Sequence, residues 1–237
     1  MSETHSEFYE RWSARARPYF AWQFSQLRPH LGRRVADIGC ALGSFAPLIL
    51  GTGAELYLGV EPDADLRARF RERHRDPRAR LCAVTDALDP ALPAALRAEK
   101  IDSAICVNAL EHIEDDATAL RRVLEGLPAG GRLGLLVPAH PFLYGTLDAL
   151  DGHYRRYTKA SLRTLVSRAG GADILDLYFF NAVAALGWLF KGRVLRARAQ
   201  TDDNYALMNA LLPLVSRAER LVHPPFGLSL VAILRRR

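Results

Sequence analysis

Short apolar runs alternate with amphipathic stretches along most of the chain. The runs span four to seven residues and are rich in aliphatic and β-branched side chains, which predicts buried strands. The predicted strands are Val35–Ile38, Tyr57–Glu61, Leu81–Val84, Ile101–Val107, Arg132–Pro138, Ile174–Phe180 and Leu228–Leu234. Apolar residues recurring every three or four positions predict helices at Asp63–His74, Thr118–Leu127 and Ser161–Ala169. This alternation is typical of an α/β fold with a mostly parallel sheet and helices on both faces.

Two stretches depart from the alternation. The first thirty residues carry many aromatic side chains on a helical pattern that breaks near Pro18. Some 45 residues between the last two strands contain two amphipathic patterns, the second kinked at Pro213. We expect one domain with leading helices at 1–30, a core at 31–180, a helical insertion at 181–225 and the last strand at 226–237.

The insertion has three interpretations. It can cover a bound substrate with an apolar lining, form the face of a homodimer, or contact a membrane surface. The last interpretation is suggested by Trp188 and its apolar neighbours, which precede Lys191, Arg193, Arg196 and Arg198. The pattern alone leaves a monomer and a homodimer open.

A turn of small residues follows the first strand. Gly39, Ala41 and Gly43 alternate there, just after Asp37. A strand that turns tightly into a helix presents backbone N–H groups at the carboxyl edge of the sheet, where α/β proteins bind nucleotide-like ligands. The dinucleotide pattern G-x-G-x-x-G fails, because positions 41 and 44 hold alanine and serine.

Glu61 supports a ligand of this kind. It ends the second strand about twenty residues further on, where a carboxylate can accept hydrogen bonds from both hydroxyls of a ribose. Its charge would repel the 2′-phosphate of NADP. A plain structural turn, a nicotinamide-dependent oxidoreductase and a non-catalytic protein that keeps the fold as a scaffold remain alternatives.

The order of these motifs resembles that of the class I S-adenosylmethionine-dependent methyltransferases. Their first motif is acidic-x-G-x-G-x-G, here with Ala41 in place of the middle glycine. Segments 85–87, 108–113 and 127–132 match the family in the same order, so that the resemblance spans about residues 33–140. It implies a Rossmann-like, seven-stranded sheet with an antiparallel last strand, S-adenosylmethionine as the cofactor, and methyl transfer as the activity.

The resemblance also implies which residues bind the cofactor. They are Asp37, Gly39, Ala41, Gly43, Glu61, Asp86, Ala87 and Asn108. In the family, the residue matching Asp86 accepts a hydrogen bond from the adenine amino group, although an ordinary turn aspartate is an alternative here. The leading helices would close over the cofactor, with Tyr9 and Tyr19 as contacts.

Polar and aromatic residues are concentrated at 139–158, which follows the fifth strand at the same sheet edge. The candidate substrate-binding residues are His140, Tyr144, Arg155, Arg156 and Tyr157. One arginine can bind a carboxylate or phosphate while the other pairs with Asp148 or Asp151. His153 or His112 can act as a general base, because histidine titrates near neutral pH. A self-satisfied charged loop and a structural His112 are the alternatives.

We therefore expect methylation of a small-molecule acceptor, anionic or partly apolar, at oxygen, with nitrogen and carbon left open. The net charge of +6 suggests an acidic partner, but only three of the 32 basic residues are lysine, which indicates a compositional habit. Amino-methyltransferases of DNA and RNA commonly carry Asn/Asp-Pro-Pro-aromatic where this chain has Asn108-Ala-Leu. On these grounds we predict no nucleic-acid partner.

Two further expectations concern metals and location. Glu111, His112, Asp115 and Asp116 are too bunched for a recognised metal motif, so no metal is predicted. The three cysteines show no pair-like spacing, and the chain has neither a signal-peptide pattern nor an apolar run that could span a membrane. These features predict a reduced, cytoplasmic protein.

Overall fold

The computed structural model describes residues 5–188, 202–221 and 224–237. Its centre is a seven-stranded sheet in the order β3-β2-β1-β4-β5-β7-β6. The strands are β1 Arg34–Ile38, β2 Leu56–Val60, β3 Ala79–Leu81, β4 Ser103–Val107, β5 Arg132–Pro138, β6 Ala172–Phe180 and β7 Ser229–Arg236. Strands β1 to β5 pair in parallel, and β7 is antiparallel to both β5 and β6. The fold predicted from the sequence is confirmed.

Helices cover both faces of the sheet. They are α1 His5–Arg15, α2 Arg17–Leu27, α3 Ala46–Leu50, α4 Ala64–Arg73, α5 Leu92–Ala98, α6 Asp116–Gly126, α7 Thr146–Leu150, α8 Lys159–Ala169, α9 Ala182–Trp188 and α10 Asp202–Leu221. Ala36 and Ile38 of β1 belong to the core shared with α5, α6 and α8, whereas Val35 belongs to the core shared with α2, α3 and α4. Successive strand residues point to opposite faces, so both faces of β1 are buried.

The third strand lies earlier than predicted. We expected Leu81–Val84, whereas β3 spans Ala79–Leu81. Among the described strands, β3 lies at an edge of the sheet and pairs with β2 alone, and its central Arg80 is exposed. A half-exposed edge strand contains polar residues, so the apolar run marked the chain after the strand rather than the strand itself.

The carboxyl ends of the parallel strands and of β6 lie at one edge of the sheet. Pro138, at the end of β5, and Phe180, at the end of β6, both pair with Ser229, the first residue of β7. The chain between Phe180 and Ser229 therefore leaves and re-enters the sheet at this edge.

Four helices, α1, α2, α9 and α10, lie over this edge and are called the cover helices below. The Asn209 side chain donates a hydrogen bond to the carbonyl of Arg15 at 2.8 Å, which ties α10 to α1. Glu219 of α10 accepts hydrogen bonds from the amides of Asn181 and Ala182 at 2.8 and 2.6 Å, at the start of α9. The insertion and the leading helices thus form one connected layer.

The basic residues behind the membrane-surface interpretation, Lys191, Arg193, Arg196 and Arg198, lie outside the described residues. Among the helices of the described ranges, none combines the length and apolarity needed to cross a bilayer.

Candidate active site

The turn after β1 uses backbone conformations that few side chains adopt. Gly39, Ala41 and Gly43 have φ angles of +72°, +47° and +70°. A Cβ atom at Gly39 would lie 2.3 Å from the Cβ of Ala109, and one at Gly43 would lie 2.4 Å from the ring of Phe70. The two glycines therefore allow the turn to pack against the segment after β4 and against α4. Ala41 adopts a left-handed conformation that costs about 1–2 kcal/mol.

Glu61, the first residue after β2, supports this turn from the side. Its Oε2 accepts a hydrogen bond from the Ala41 amide at 2.8 Å, and its Oε1 accepts one from the Asp63 amide at 2.9 Å. Glu61 is 6% exposed, and burial raises its pKa. Each carboxylate oxygen retains a lone pair for another donor. Glu61 can therefore bind ribose hydroxyls while it continues to hold the turn.

Asp37 lies beneath the turn as a buried carboxyl group. It is 2% exposed and accepts a hydrogen bond from the Tyr57 hydroxyl at 2.5 Å. Burial raises its pKa to about 7, against the opposing effect of the Tyr57 hydrogen bond. Asp37 thus links β1 to β2 from within the core.

A cavity of about 420 Å³ adjoins the turn. Gly39, Ala41 and Asn108 line it at the sheet edge. The cover helices contribute mainly aromatic and aliphatic residues, among them Tyr9, Trp12, Tyr19, Phe20, Trp22, Val183, Trp188 and Leu212. The volume falls within the range of sites that bind small ligands and cofactors.

Within the described chain, the cavity brings together some of the predicted site residues and not others. Those that line it are Tyr9, Tyr19, Gly39, Ala41, Asn108, His112, His153 and Arg156. Those outside its lining are Asp37, Gly43, Glu61, Asp86, Ala87, His140, Tyr144, Arg155 and Tyr157. Asp86 accepts a hydrogen bond from the Leu88 amide at 2.8 Å, which is the pattern of a turn aspartate, and Ala87 packs into the core.

Strained backbone is concentrated at the same sheet edge. Ala41, Asn108, His140 and Asn181 are non-glycine residues with positive φ, and they follow β1, β4, β5 and β6 respectively. Such conformations persist where the surrounding structure imposes them, and they cluster at functional sites. The strain therefore marks this edge independently of the cavity.

Acidic and imidazole side chains form one wall of the cavity. The ring Nδ1 of His153 lies 3.0 Å from Asp148 Oδ1, while its Nε2 lies 3.5 Å from Asp151 Oδ2 and 4.0 Å from Glu111 Oε1. The rings of His112 and His153 meet edge to face, with centroids 4.6 Å apart. Sequence reasoning placed both histidines at this site but missed the part played by Glu111.

Burial and neighbouring charges have opposite effects on the pKa values of the side chains in this wall. Burial raises the pKa of Glu111 to about 7, despite the opposing charge of His153. Burial lowers the pKa of His153, but hydrogen bonds to Asp148 and Asp151 and the charge of Glu111 outweigh it and raise the pKa to about 9. These neighbours make His153 hold a proton more tightly than a free imidazole, and its role as a base stays a prediction.

Residues 152–157, with the sequence Gly-His-Tyr-Arg-Arg-Tyr, are fixed to the chain after β4. The amide of Tyr154 donates to the carbonyl of Glu111 at 2.9 Å. Arg155 Nη1 pairs with Asp116 Oδ2 at 2.9 Å, and the Tyr157 hydroxyl donates to the same oxygen at 3.0 Å. These contacts bring His153 next to Glu111 across more than forty residues of sequence.

The two neighbouring arginines have different surroundings. Arg156 is 5% exposed, and its Nε donates to Asp148 Oδ1 at 2.7 Å, which is one of the two pairings suggested by the sequence. Its guanidinium also lies 5.1 Å from the centre of the Trp188 ring. The charge that Arg156 presents to the cavity is thus already balanced by Asp148. A substrate-binding role for both arginines stays a prediction.

Tyr144 and His140 also have partners within the protein. The Tyr144 hydroxyl donates to the carbonyl of His153 at 2.7 Å. The ring of His140 stacks on Phe179, with centroids 4.8 Å apart. In this structure both residues support the loop that carries His153.

Comparison with known proteins places this site in context. The family described as "Methyltransferase domain" matches residues 7–174. A tRNA U34 carboxymethyltransferase from Azotobacter vinelandii is 30% identical over 182 residues, covering 75% of this chain and 51% of that protein. The chain spans about half the length, or less, of the curated relatives it matches.

Solved structures share the fold. An S-adenosylmethionine-dependent methyltransferase from Mesorhizobium loti superposes with a TM-score of 0.63 at 20% identity, covering 92% of this chain and all of the other. A geranyl diphosphate methyltransferase solved with S-adenosylmethionine gives a TM-score of 0.61 at 13% identity, covering 94% of this chain and 85% of the other. At these identities the likeness establishes the architecture.

The comparisons overturn one prediction. We excluded a nucleic-acid partner, whereas the relatives are named for a nucleoside of tRNA. The missing Asn/Asp-Pro-Pro-aromatic motif argued only against amino methylation and left other chemistry on RNA untouched. The exclusion was therefore wrong, and the positive charge of the chain must be reconsidered.

Proposed function

The chain belongs to the methyltransferase domain family, and from that premise we propose that it methylates an oxygen atom of an acceptor that enters the cavity beneath the cover helices. The predictions of an enzyme, and of S-adenosylmethionine as its cofactor, are confirmed. When bound, this cofactor supplies an electrophilic methyl group. The remaining chemistry belongs to residues of the chain.

One observation carries the proposal: the Ala41–Glu61 hydrogen bond holds the strained turn at the edge of the cavity. Glu61 has spare acceptor capacity for ribose hydroxyls, and Gly39, Ala41 and Asn108 line the adjoining space. The cover helices line one side of the cavity with apolar side chains and restrict the direction from which an acceptor approaches. Holding two reactants in line is a large source of rate acceleration in such reactions.

The acceptor oxygen would meet the wall formed by Glu111, His112 and His153. In the balanced reaction its O–H proton leaves, its electron pair forms the new C–O bond, and the pair of the broken C–S bond stays on sulfur. His112 and His153, the two bases predicted from the sequence, both line this wall. Their position supports uptake of the proton by one of them.

We infer transfer of a methyl rather than a carboxymethyl group. Glu111 and Asp151 line the cavity, and Arg156 is already paired with Asp148. A carboxylate on the transferred group would face acidic side chains with no unpaired arginine in the described lining. Burying like charges together is strongly unfavourable.

A tRNA nucleoside is the first acceptor that we propose. The names of the relatives and the net charge of +6 support it, as do the aromatic residues of the cavity, on which an unstacked base can lie. The second candidate is a partly apolar small molecule, which the aliphatic and aromatic contribution of α9 and α10 favours.

Radiolabelled S-adenosylmethionine distinguishes these acceptors. The purified chain is incubated with unmodified tRNA, with deproteinised and nucleic-acid-free cell extract, or with neither. Label that enters tRNA and is released as a methylated nucleoside supports the first candidate, and label in the extract alone supports the second. In a parallel incubation with a sulfonium donor that carries a carboxymethyl group in place of the methyl group, a tRNA product heavier by a carboxymethyl group contradicts methyl transfer. No transfer to either fraction, despite measured cofactor binding, contradicts both acceptors.

A further inference from the structure

Glu111 is a buried carboxylate whose charge lacks a close donor. Its side chain is fully buried, and neither oxygen has a hydrogen-bond partner among the residues that the structure describes. Yet the residue lines the cavity, and His153 Nε2 is 4.0 Å away. A buried carboxylate normally pairs with a cation or binds a metal ion, because its desolvation is otherwise uncompensated.

His153 is oriented like a metal ligand. Its Nδ1 is held by Asp148, which is itself fixed by Arg156 Nε at 2.7 Å and by the Gly145 amide at 2.9 Å. Nε2 therefore faces Glu111 and Asp151. A histidine that binds a metal ion through one ring nitrogen usually donates the N–H of its other ring nitrogen to a carboxylate, as the Nδ1–Asp148 contact would allow here.

His112 completes the set. One nitrogen of His112, one of His153 and one oxygen of Glu111 all lie within 4.8 Å of one another. Nitrogen and oxygen ligands bind zinc-like ions at about 2.0–2.2 Å, so two ligands of one ion are at most about 4 Å apart. Side-chain movements of about an ångström would bring the three atoms to this spacing.

Resting on the methyl-transfer function proposed above, we propose that Glu111, His112 and His153 bind a divalent first-row transition-metal ion in the cavity wall, with Asp151 as a further ligand. Two imidazoles favour ions such as Zn²⁺ and Co²⁺ over Mg²⁺, which prefers oxygen ligands. The expectation of no metal considered only residues adjacent in sequence. Folding adds His153 from the loop after β5.

Such an ion lies where the acceptor must approach. Its positive charge compensates Glu111 and Asp151, and it favours loss of the proton from an acceptor oxygen bound beside it. With the ion bound, His112 and His153 act as ligands rather than as bases, and the ion orients the acceptor oxygen and increases its nucleophilicity at neutral pH, which deepens the proposed preference for oxygen acceptors.

Cobalt is the probe for this site. Co²⁺ is titrated into the metal-stripped full chain, and its visible d–d absorption is recorded with and without excess Mg²⁺. We expect intensified bands that saturate at one equivalent and persist in Mg²⁺. Glu111→Gln and His112→Gln should abolish them, whereas His30→Ala, a histidine remote from the cavity, should retain them. Asp148→Asn should weaken Co²⁺ binding by about 10- to 100-fold.

Binding of S-adenosylhomocysteine is measured on each variant, which separates this proposal from the proposed function. If S-adenosylhomocysteine binds but Co²⁺ keeps the spectrum of the hydrated ion, the metal site is refuted and the proposed methyltransferase function is unaffected. Bands that survive in both Glu111→Gln and His112→Gln place the ion elsewhere and also refute the site. If the wild-type chain does not bind S-adenosylhomocysteine, the result counts against the proposed function instead.

Discussion

The amide of Ala41 donates a hydrogen bond to the carboxylate of Glu61 at 2.8 Å, across twenty residues of sequence. The contact joins the strained turn after β1 to the end of β2. Two residues that the sequence analysis assigned separately to the cofactor therefore form one structural unit. A change in either residue alters the position of the other.

Replacement of Glu61 by alanine should weaken binding of S-adenosylhomocysteine at least tenfold. The change removes a carboxylate available to the ribose and also the acceptor of the Ala41 amide, and hydrogen bonds to charged groups each contribute about 1.5–3 kcal/mol. Titration calorimetry measures the affinity. Glu55→Ala, which removes a half-exposed carboxylate that pairs with Arg33, is the control. Equal affinities for the two variants would remove Glu61 from the site.

Alanine at Gly43 should lower the melting temperature more than alanine at Gly53. Both glycines have positive φ, at +70° and +92°, but only the Cβ at position 43 meets a neighbour, the ring of Phe70 at 2.4 Å. The difference between the variants therefore isolates the clash from the backbone strain. Ala41→Gly should be neutral or stabilising, because it relieves a left-handed conformation. Thermal unfolding without cofactor tests all three, and equal effects at 43 and 53 would contradict the packing.

Asp37 should make stability depend on pH. Its pKa is raised from 3.8 to about 7 in the folded protein, so the native state binds the proton more tightly than the unfolded state. The stability associated with this proton is present below about pH 4 and is lost as the pH rises to about 7. Urea unfolding of Asp37→Asn, which keeps an acceptor for Tyr57, should show a weaker fall over this range than the wild type. Parallel curves for the two proteins would contradict the assignment.

The two adjacent arginines should respond differently to mutation. Arg156→Met removes one of the two buried cationic partners of Asp148 and leaves His153 as the other, and the expected loss is about 3–5 kcal/mol in the free energy of unfolding. Arg155→Ala removes a partly exposed pair with Asp116, and about 0–1 kcal/mol is expected. Chemical denaturation of both variants provides the comparison. Similar small losses would show that Asp148 is satisfied without Arg156.

The sequence was most informative where burial is uniform. Strand β5 was predicted with its observed ends, Arg132 and Pro138, because both faces of a central parallel strand are apolar. The edge strand β3 was misplaced because Arg80 interrupts its apolar pattern. The strand propensities of individual residues do not indicate which strand lies at an edge, because the order of the strands depends on the whole sheet.

The candidate site shows the same limit. The Gly39–Gly43 turn and Glu61 could be found from local spacing, since the strand–turn–helix unit determines their separation. The neighbours of Glu111 could not, because His153 comes from another loop and is positioned by contacts such as Tyr154 to Glu111. Asp148 was recognised only as an ion-pair partner, whereas the structure shows it holding His153 and Arg156 together.

The antiparallel strand β7 has a consequence for how new specificities can arise. Because Ser229 pairs with the ends of both β5 and β6, the intervening polypeptide starts and finishes at the sheet edge where we propose that the cofactor binds. We expect that changes of length or sequence within this segment leave the strand pairing and the Ala41–Glu61 hydrogen bond in place. A change of acceptor would then require changes in the segment between β6 and β7, while the turn after β1 and Glu61 stay the same.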